Sequence, residues 1–283
     1  NSNNIIIGAV GISRDITEVT LKQKEVSHVL NHDYLTGLYN RRYFTDHFTK
    51  LNEDESYPLG SMLIDINHLK LFNDAFGHDV GDKVIVETAN ILKEVMPDNA
   101  MLSRIGGDEF FAFIPQASNP LLEALRLQII KKLGNTKIKN IPLSISCGYD
   151  VSINKKESLE DLIKRADRWL SRDKITIGMH SRNQAVECIF ENLITNYQVE
   201  KDHACEVEKY ALMIGKALDL SSSQLADLAS AAKYHDIGKV TIPKSILNKP
   251  NKLTPSEFHL VKRHTENGYN ILKSSDKYSR IAE

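Results

Sequence analysis

Cysteine is scarce. The 283 residues hold 3 of them, Cys147, Cys188 and Cys205, far apart and without a CxxC pair. An odd, sparse set excludes a disulfide framework and fits a reducing, cytoplasmic setting. Charge of one sign is lacking too. Lys and Arg total 36 against 37 Asp and Glu, a net charge of -1. That balance excludes a broad DNA- or RNA-binding face, which needs excess positive charge, but leaves room for a small nucleotide held by a few charges and a metal. No apolar run approaches the ~18–20 residues that span a bilayer, so no membrane contact is expected from this segment. Internal repeats, low-complexity tracts and a signal-peptide pattern are absent as well. The first residue is not Met and the last helix has no closing signal, so the chain reads as a piece of a longer protein, whose membrane anchor or sensor would lie elsewhere.

What is present is the composition of a soluble globular chain, 41% hydrophobic and 26% charged, long enough for about two domains. Residues Ile5 to Ile12 read as a short strand, and Asp15 with Glu18 opens a helical pattern. From Pro58 the pattern is α/β. Leu59–Ile66 reads as a buried strand ending in Asp65, and Asp82–Val95 as a helix. Met101–Ile105 and Phe110–Ile114 read as a hairpin around Gly106 and Gly107. Leu121–Leu133 reads as a helix, Leu143–Val151 as a strand and Ser158–Leu170 as a helix. After a boundary near Gly178 the strands stop. Ala185–Ile194, Ala204–Leu218, Leu225–Tyr234 and Phe258–Leu272 read as helices, two of them opened by capping boxes at Ser221 and Thr254. The fold class expected is multidomain: an α/β (α+β) layer domain followed by an all-α domain.

Two groups of residues carry chemistry. The first is Asp65 at a strand end, the loop Asn73-Asp74, Gly77-His78 and Gly81-Asp82 before a helix, and the turn Gly106-Gly107-Asp108-Glu109. Glycines let backbone approach phosphate closely, while carboxylates beside phosphate imply a divalent cation with hard oxygen ligands. The second is His203, His235-Asp236 and His264. An adjacent His-Asp pair at a helix end suits Fe, Mn or Zn better than Mg. His259 stands outside any motif and reads as a surface residue.

The first group resembles the GGDEF family of diguanylate cyclases. The turn matches as Gly106–Phe110, the N-terminal motif as Asp33 to Arg42, and the metal-and-base loop as Asp65 to Lys70 with Asn73, Asp74, Gly77, His78, Gly81 and Asp82. The resemblance implies a nucleotide-cyclase-like palm that joins two GTP molecules into cyclic di-GMP. Two copies of the domain, a homodimer, would meet face to face. Asp65, Asp108 and the carbonyl of Ile66 would hold Mg (or Mn), with Glu109 as ligand or base. Asn73 and Asp82 would read guanine, Gly106 and Gly107 would approach phosphate, and Lys70 and Lys174 would hold it.

Three departures stand out. Pro97 and Ala100 occupy the family's product-inhibition positions, so no feedback site is expected. Asp173 replaces a small residue. Gly178 stands where a second phosphate-binding base belongs, leaving Arg182 as the nearest basic residue after an apparent insertion.

The second group resembles the HD superfamily and its HD-GYP branch of cyclic di-GMP phosphodiesterases, through His203, His235 to Lys239, Ile242-Pro243, Lys249-Pro250, Leu253-Thr254, Glu257, His264 and Gly268. His203, His235, Asp236 and His264 would bind metal and Lys239 would contact phosphate. The family's early carboxylate position is Val199, with Glu200 beside it. The GYP motif and later ligands would lie beyond residue 283, so the helix carrying His264 is expected to lack apolar partners. The start of the chain resembles the exit of a PAS sensor domain. The implied organisation is a PAS end over 1–20, a signalling helix and N-terminal motif over 21–57, a GGDEF domain over 58–183 and a truncated HD-GYP domain over 184–283. The function implied is cyclic di-GMP synthesis. One alternative is mainly phosphodiesterase activity with a GTP-sensing GGDEF half. The other is a catalytically silent nucleotide-responsive regulator.

Overall fold

The computed structural model describes residues 17, 22, 26, 28–47, 57–153 and 157–282. The N-terminal strand, the PAS-like exit and most of the signalling helix lie outside these residues.

A five-stranded sheet organises the first half. Its strands are β1 (Tyr39–Asn40), β2 (Leu59–Ile66), β3 (Met101–Arg104), β4 (Glu109–Ile114) and β7 (Ile145–Ser152), in the order β1-β3-β4-β2-β7. β1 pairs with β3 in parallel and the remaining pairs are antiparallel. A small hairpin, β5 (Lys137–Ile138) and β6 (Ile141–Pro142), stands apart. Side chains alternate across a strand, so each strand serves two faces. Phe110, Ala112 and Ile114 join Met62, Ile64 and Ile66 on one face, while Phe111 and Phe113 join Leu59 on the other. Both faces are covered. That is why the central strands read as nearly unbroken apolar runs rather than as an alternation.

Helices α1 (Arg41–His47), α2 (Leu69–Phe76), α3 (His78–Val95), α4 (Asn119–Asn135) and α5 (Leu159–Asp173) wrap this sheet. Helix α3 begins at His78, so Gly81 and Asp82 lie inside its first turns and not in a loop before it. The reason is tertiary. A Cβ at Gly81 would strike the side chain of Asn73 on α2, so the glycine is what lets the two helices meet.

The second half is helical: α6 (Met179–Asn196), α7 (Gln198–Ala217), α8 (Ser222–Tyr234), α9 (Lys244–Leu247), α10 (Pro255–Lys262) and α11 (His264–Lys273). Both capping boxes form, at Ser221 with Gln224 and at Thr254 with Glu257. The single helix expected over Phe258–Leu272 is two, broken at Arg263. The His264 ring binds the Val261 carbonyl at 2.6 Å and so engages a group that the next turn would use. No loop separates the halves. Helix α5 runs into α6 through a π-helical turn, Lys174–Gly178.

The core is also continuous. Ala185, Val186, Ile189, Phe190, Ile237, Ile271 and Leu272 belong to the same buried cluster as the sheet. The helix carrying His264 is therefore not stripped of apolar partners, because Ile271 and Leu272 are buried on it.

Between β2 and α2 the chain turns through His68 in a left-handed conformation, φ 53°. Its ring is buried against Phe72, and neither ring nitrogen has a hydrogen-bond partner. Burial, with Arg182 adding to it, holds the imidazole down to about 3. A base held below its usual 6.5 stays neutral in the folded state while the unfolded chain takes up a proton, so stability rises with pH between about 3 and 6.5. Lowering the pH from 6.5 to 5 should cost about 2 kcal/mol through this residue. His68→Asn, which keeps a residue tolerant of the left-handed region, should flatten that slope in urea titrations; an unchanged slope would mean that His68 does not stay neutral.

Candidate functional site

The first site is built around a turn that one side chain holds. Arg104, at the end of β3, donates from Nε to the Gly106 carbonyl at 3.1 Å and from Nη2 to the Gly107 carbonyl at 2.8 Å. From Nη1 it donates to the Asp33 carboxylate at 3.0 and 3.2 Å. Asp33 in turn accepts from the backbone N–H and hydroxyl of Thr36. Burial alone would raise Asp33; the bonds from Thr36 and Arg104 outweigh it and hold the carboxyl below its usual range. The N-terminal motif therefore fixes the glycine turn, a role its sequence did not disclose. A Cβ at Gly107 would meet nothing within 4 Å, so the outer side of the turn is open.

The turn delivers Asp108 next to the end of β2, where the Ile66 N–H donates to the Asp108 carbonyl at 3.0 Å. Register sets Asp65 opposite Glu109. Asp65, Ile66, Lys70, Asp108 and Lys174 line one cavity of about 430 Å³. Asn67 beside them is locked onto Ser146 of β7 and onto Ser144 just before that strand. Burial pushes the Asp65 carboxyl above the usual range. The Lys174 ammonium at 2.6 Å offsets part of that, and the nearby charges of Asp108 and Glu109 raise it further. Lys174 thus neutralises Asp65 instead of standing free for phosphate.

Asn73 lines a neighbouring cavity of about 560 Å³, and Asp74 lines both. Asp82 is exposed on the first turns of α3, and Glu109 is exposed at the start of β4. Neither these two nor Gly106 and Gly107 line the two cavities.

Arg182, eight residues after Lys174, also lines the first cavity. In an α-helix a side chain returns to the same face about seven residues on. A π-turn holds one residue more, so the turn at Lys174–Gly178 absorbs the insertion and brings Arg182 back to the Lys174 face. Asp173 faces the other way. Its carboxylate accepts from Arg126 at 2.9 Å and from the Cys147 N–H at 2.8 Å, so it does not oppose an anion in the cavity.

The second site is a knot of imidazoles about one carboxylate. Asp236 Oδ2 lies 3.0 Å from His235 Nε2 and 3.7 Å from His203 Nε2, and Oδ1 lies 3.3 Å from His264 Nε2. The Nδ1 atoms of His235 and His264 face the carbonyls of Ala232 and Val261. A carbonyl only accepts, so Nδ1 of each ring carries a proton and Nε2 is the nitrogen turned toward Asp236, the one that a metal would take. Donor atoms of His203, His235 and Asp236 lie within 4.8 Å of one another, the only such trio among the described residues. Nitrogen and carboxylate donors in this grouping fit a borderline divalent metal.

Lys239 binds Asp236 at 2.8 Å and Glu200 at 2.7 Å. Burial would raise Asp236, but Lys239, His235 and His264 outweigh it and hold the carboxyl low. Glu200, the residue after Val199, reaches this group through Lys239. His259 is exposed and takes no part.

The comparisons follow this division. The model for the diguanylate cyclase GGDEF domain matches residues 30–179, more than half of the chain. The chain belongs to the GGDEF family. The model for an HD domain matches residues 188–283, the segment that holds the imidazole knot. The signaling protein YkoW of Bacillus subtilis is 35% identical over 164 residues, covering 55% of this chain and 20% of that protein. A diguanylate cyclase of Vibrio cholerae is 29% identical over 175 residues, covering 60% of this chain and 54% of that protein. The chain thus spans between a fifth and about half of the length of these relatives. The coiled coil and GGDEF domain of DgcB from Caulobacter crescentus, solved with c-di-GMP, superposes with a TM-score of 0.52 at 24% identity, covering 56% of this chain and 88% of that one. This likeness shows the fold of the GGDEF half. Among the described residues no helix is long and apolar enough to cross a membrane.

In this GGDEF–HD chain the HD turn is pinned by a glycine. A Cβ at Gly238 would collide with the His264 carbonyl and the Gly268 N–H. Gly238→Ala should force α11 away from Asp236. We expect a loss of about 1–3 kcal/mol in urea unfolding, together with weaker Mn²⁺ binding in calorimetry. Wild-type values in both would show that the helix does not depend on this contact.

Proposed function

We propose that this chain is a cyclic di-GMP signalling enzyme whose GGDEF half condenses two GTP molecules into cyclic di-GMP and two pyrophosphates. The observation that carries the reading is the single cavity that gathers Asp65 and Asp108 with Lys70, Lys174 and Arg182. Carboxylates alone would repel a triphosphate. Carboxylates beside cations suit a triphosphate accompanied by a hard divalent ion. Asp65 and Asp108, with the Ile66 carbonyl, form an oxygen set that fits Mg²⁺ or Mn²⁺. Such an ion, when bound, lowers the charge of the triphosphate and the pKa of the attacking hydroxyl.

The protein's own part is positioning. Each ribose 3′-oxygen attacks the α-phosphorus of the other GTP, the bond to pyrophosphate breaks, and the hydroxyl proton leaves. Glu109, opposite Asp65 in the strand register, accepts that proton. Lys174 leaves Asp65 for phosphate once another cation neutralises the carboxylate, and Lys70 and Arg182 complete the grip. Asn73 and Asp82 present an amide and a carboxylate to the guanine edge. Each copy of the domain holds one GTP, so two copies of the chain must meet face to face.

The HD half favours a second reading in place of the first, in which the intact protein mainly hydrolyses cyclic di-GMP and the GGDEF half only senses GTP. The supporting observation is the pair of Nδ1 tethers that aim His235 and His264 at Asp236. Fe, Mn or Zn would suit that set, with Lys239 beside it for phosphate.

Asp108→Ala tests the synthetic reading. Its side chain sits on a turn and packs little, so unfolding should shift by less than about 0.5 kcal/mol. Conversion of GTP should fall about a hundredfold or more. Turnover near wild type would remove Asp108 from the reaction.

A further inference from the structure

The cavity of the GGDEF half is not enclosed by that half alone. Asn270, Lys273 and Ser274, at the C-terminal end of α11 in the HD half, form part of its wall. Their placement is fixed at both ends. At the N-terminal side Gly268 packs on Gly238, and Asn267 Nδ2 donates to Thr241 Oγ1 at 2.8 Å. Beyond the C-terminal end, Ser275 Oγ donates to Asn183 Oδ1 at 2.5 Å, and Tyr278 Oη donates to Glu187 at 2.7 Å. Asn183 and Glu187 lie on α6, the helix that carries Arg182. The wall is therefore tied to the same helix as the phosphate-facing arginine.

Charge points the same way. Up to residue 182, on the helix that joins the two halves, the lining carboxylates Asp65, Asp74 and Asp108 are matched in number by Lys70, Lys174 and Arg182. Lys273, whose ammonium stands 5.9 Å from the Tyr269 ring centre, adds a fourth cationic side chain to the lining. Among the lining residues, Lys273 is the cation that the HD half brings to the wall.

We propose that the nucleotide pocket is composite, with Lys273, assisted by Asn270, contacting the phosphates of the nucleoside triphosphate held by the GGDEF half. This rests on the reading above, that the cavity takes GTP. It adds that GTP affinity depends on a residue outside the cyclase fold, so docking of the HD half gates nucleotide binding.

The test uses the 283-residue chain and titration calorimetry with two probes. 3′-Deoxy-GTP lacks the attacking hydroxyl and cannot be condensed; GMP lacks the two outer phosphates. Lys273 and Asn270 are both exposed, so their replacement does not threaten the fold. K273A should weaken 3′-deoxy-GTP about tenfold, the loss of one charge-assisted bond, while GMP changes by less than about twofold. K273R should restore most of the affinity, and N270A should show a smaller loss. Unchanged 3′-deoxy-GTP binding by K273A, or equal losses for both probes, would overturn the composite pocket. If Lys70→Ala still weakens binding in that case, the GTP reading survives and only this inference falls. No binding of 3′-deoxy-GTP by the wild-type chain would overturn both.

Discussion

The Arg104 guanidinium, only 11% exposed, divides its donors between the two glycine carbonyls of the turn and the Asp33 carboxylate. A buried cation must have partners, and these three are the ones within reach. The fork therefore sets the turn in a single position relative to β2, and with it Asp108 relative to Asp65. Loss of either end would leave a buried charge uncompensated and the turn free to move. The motif at residues 33–42 is part of the site for this reason, although it lines neither of the two cavities described.

A similar constraint joins the two halves. Helix α11 carries His264 at its first position and Lys273 at its last, with the Gly238–Gly268 contact between them. The imidazole knot and the cavity lined by Asp65 and Asp108 thus lie at opposite ends of one ten-residue helix packed into a continuous core. Rigid elements with two attachments are the means by which one site can bias another.

Much of this was legible in the residues. β2 and β4 announced themselves through runs such as Leu59–Ile66, because a sheet covered on both faces needs apolar side chains at nearly every position. Ser221 and Thr254 marked their helices by local chemistry alone. The motifs located Asp65, Asp108, His235 and Asp236. Less legible was anything decided by a distant contact. Gly81 and Asp82 looked like a loop because glycine is a poor helix former, and only Asn73 on the neighbouring helix explains their place inside α3. The break at Arg263 has no glycine or proline to signal it. The π-turn that returns Arg182 to the cavity, the outward bonds of Asp173 and the reach of Lys273 across halves all depend on packing that periodicity does not encode.

The central claim is that the carboxylates and cations of this cavity act together on two GTP molecules. Incubating the chain with GTP and Mg²⁺ and identifying the products by chromatography and mass tests it most directly. The account predicts a cyclic dinucleotide with two pyrophosphates released for each one formed. GTP recovered intact, or converted only to GDP and phosphate, would contradict it.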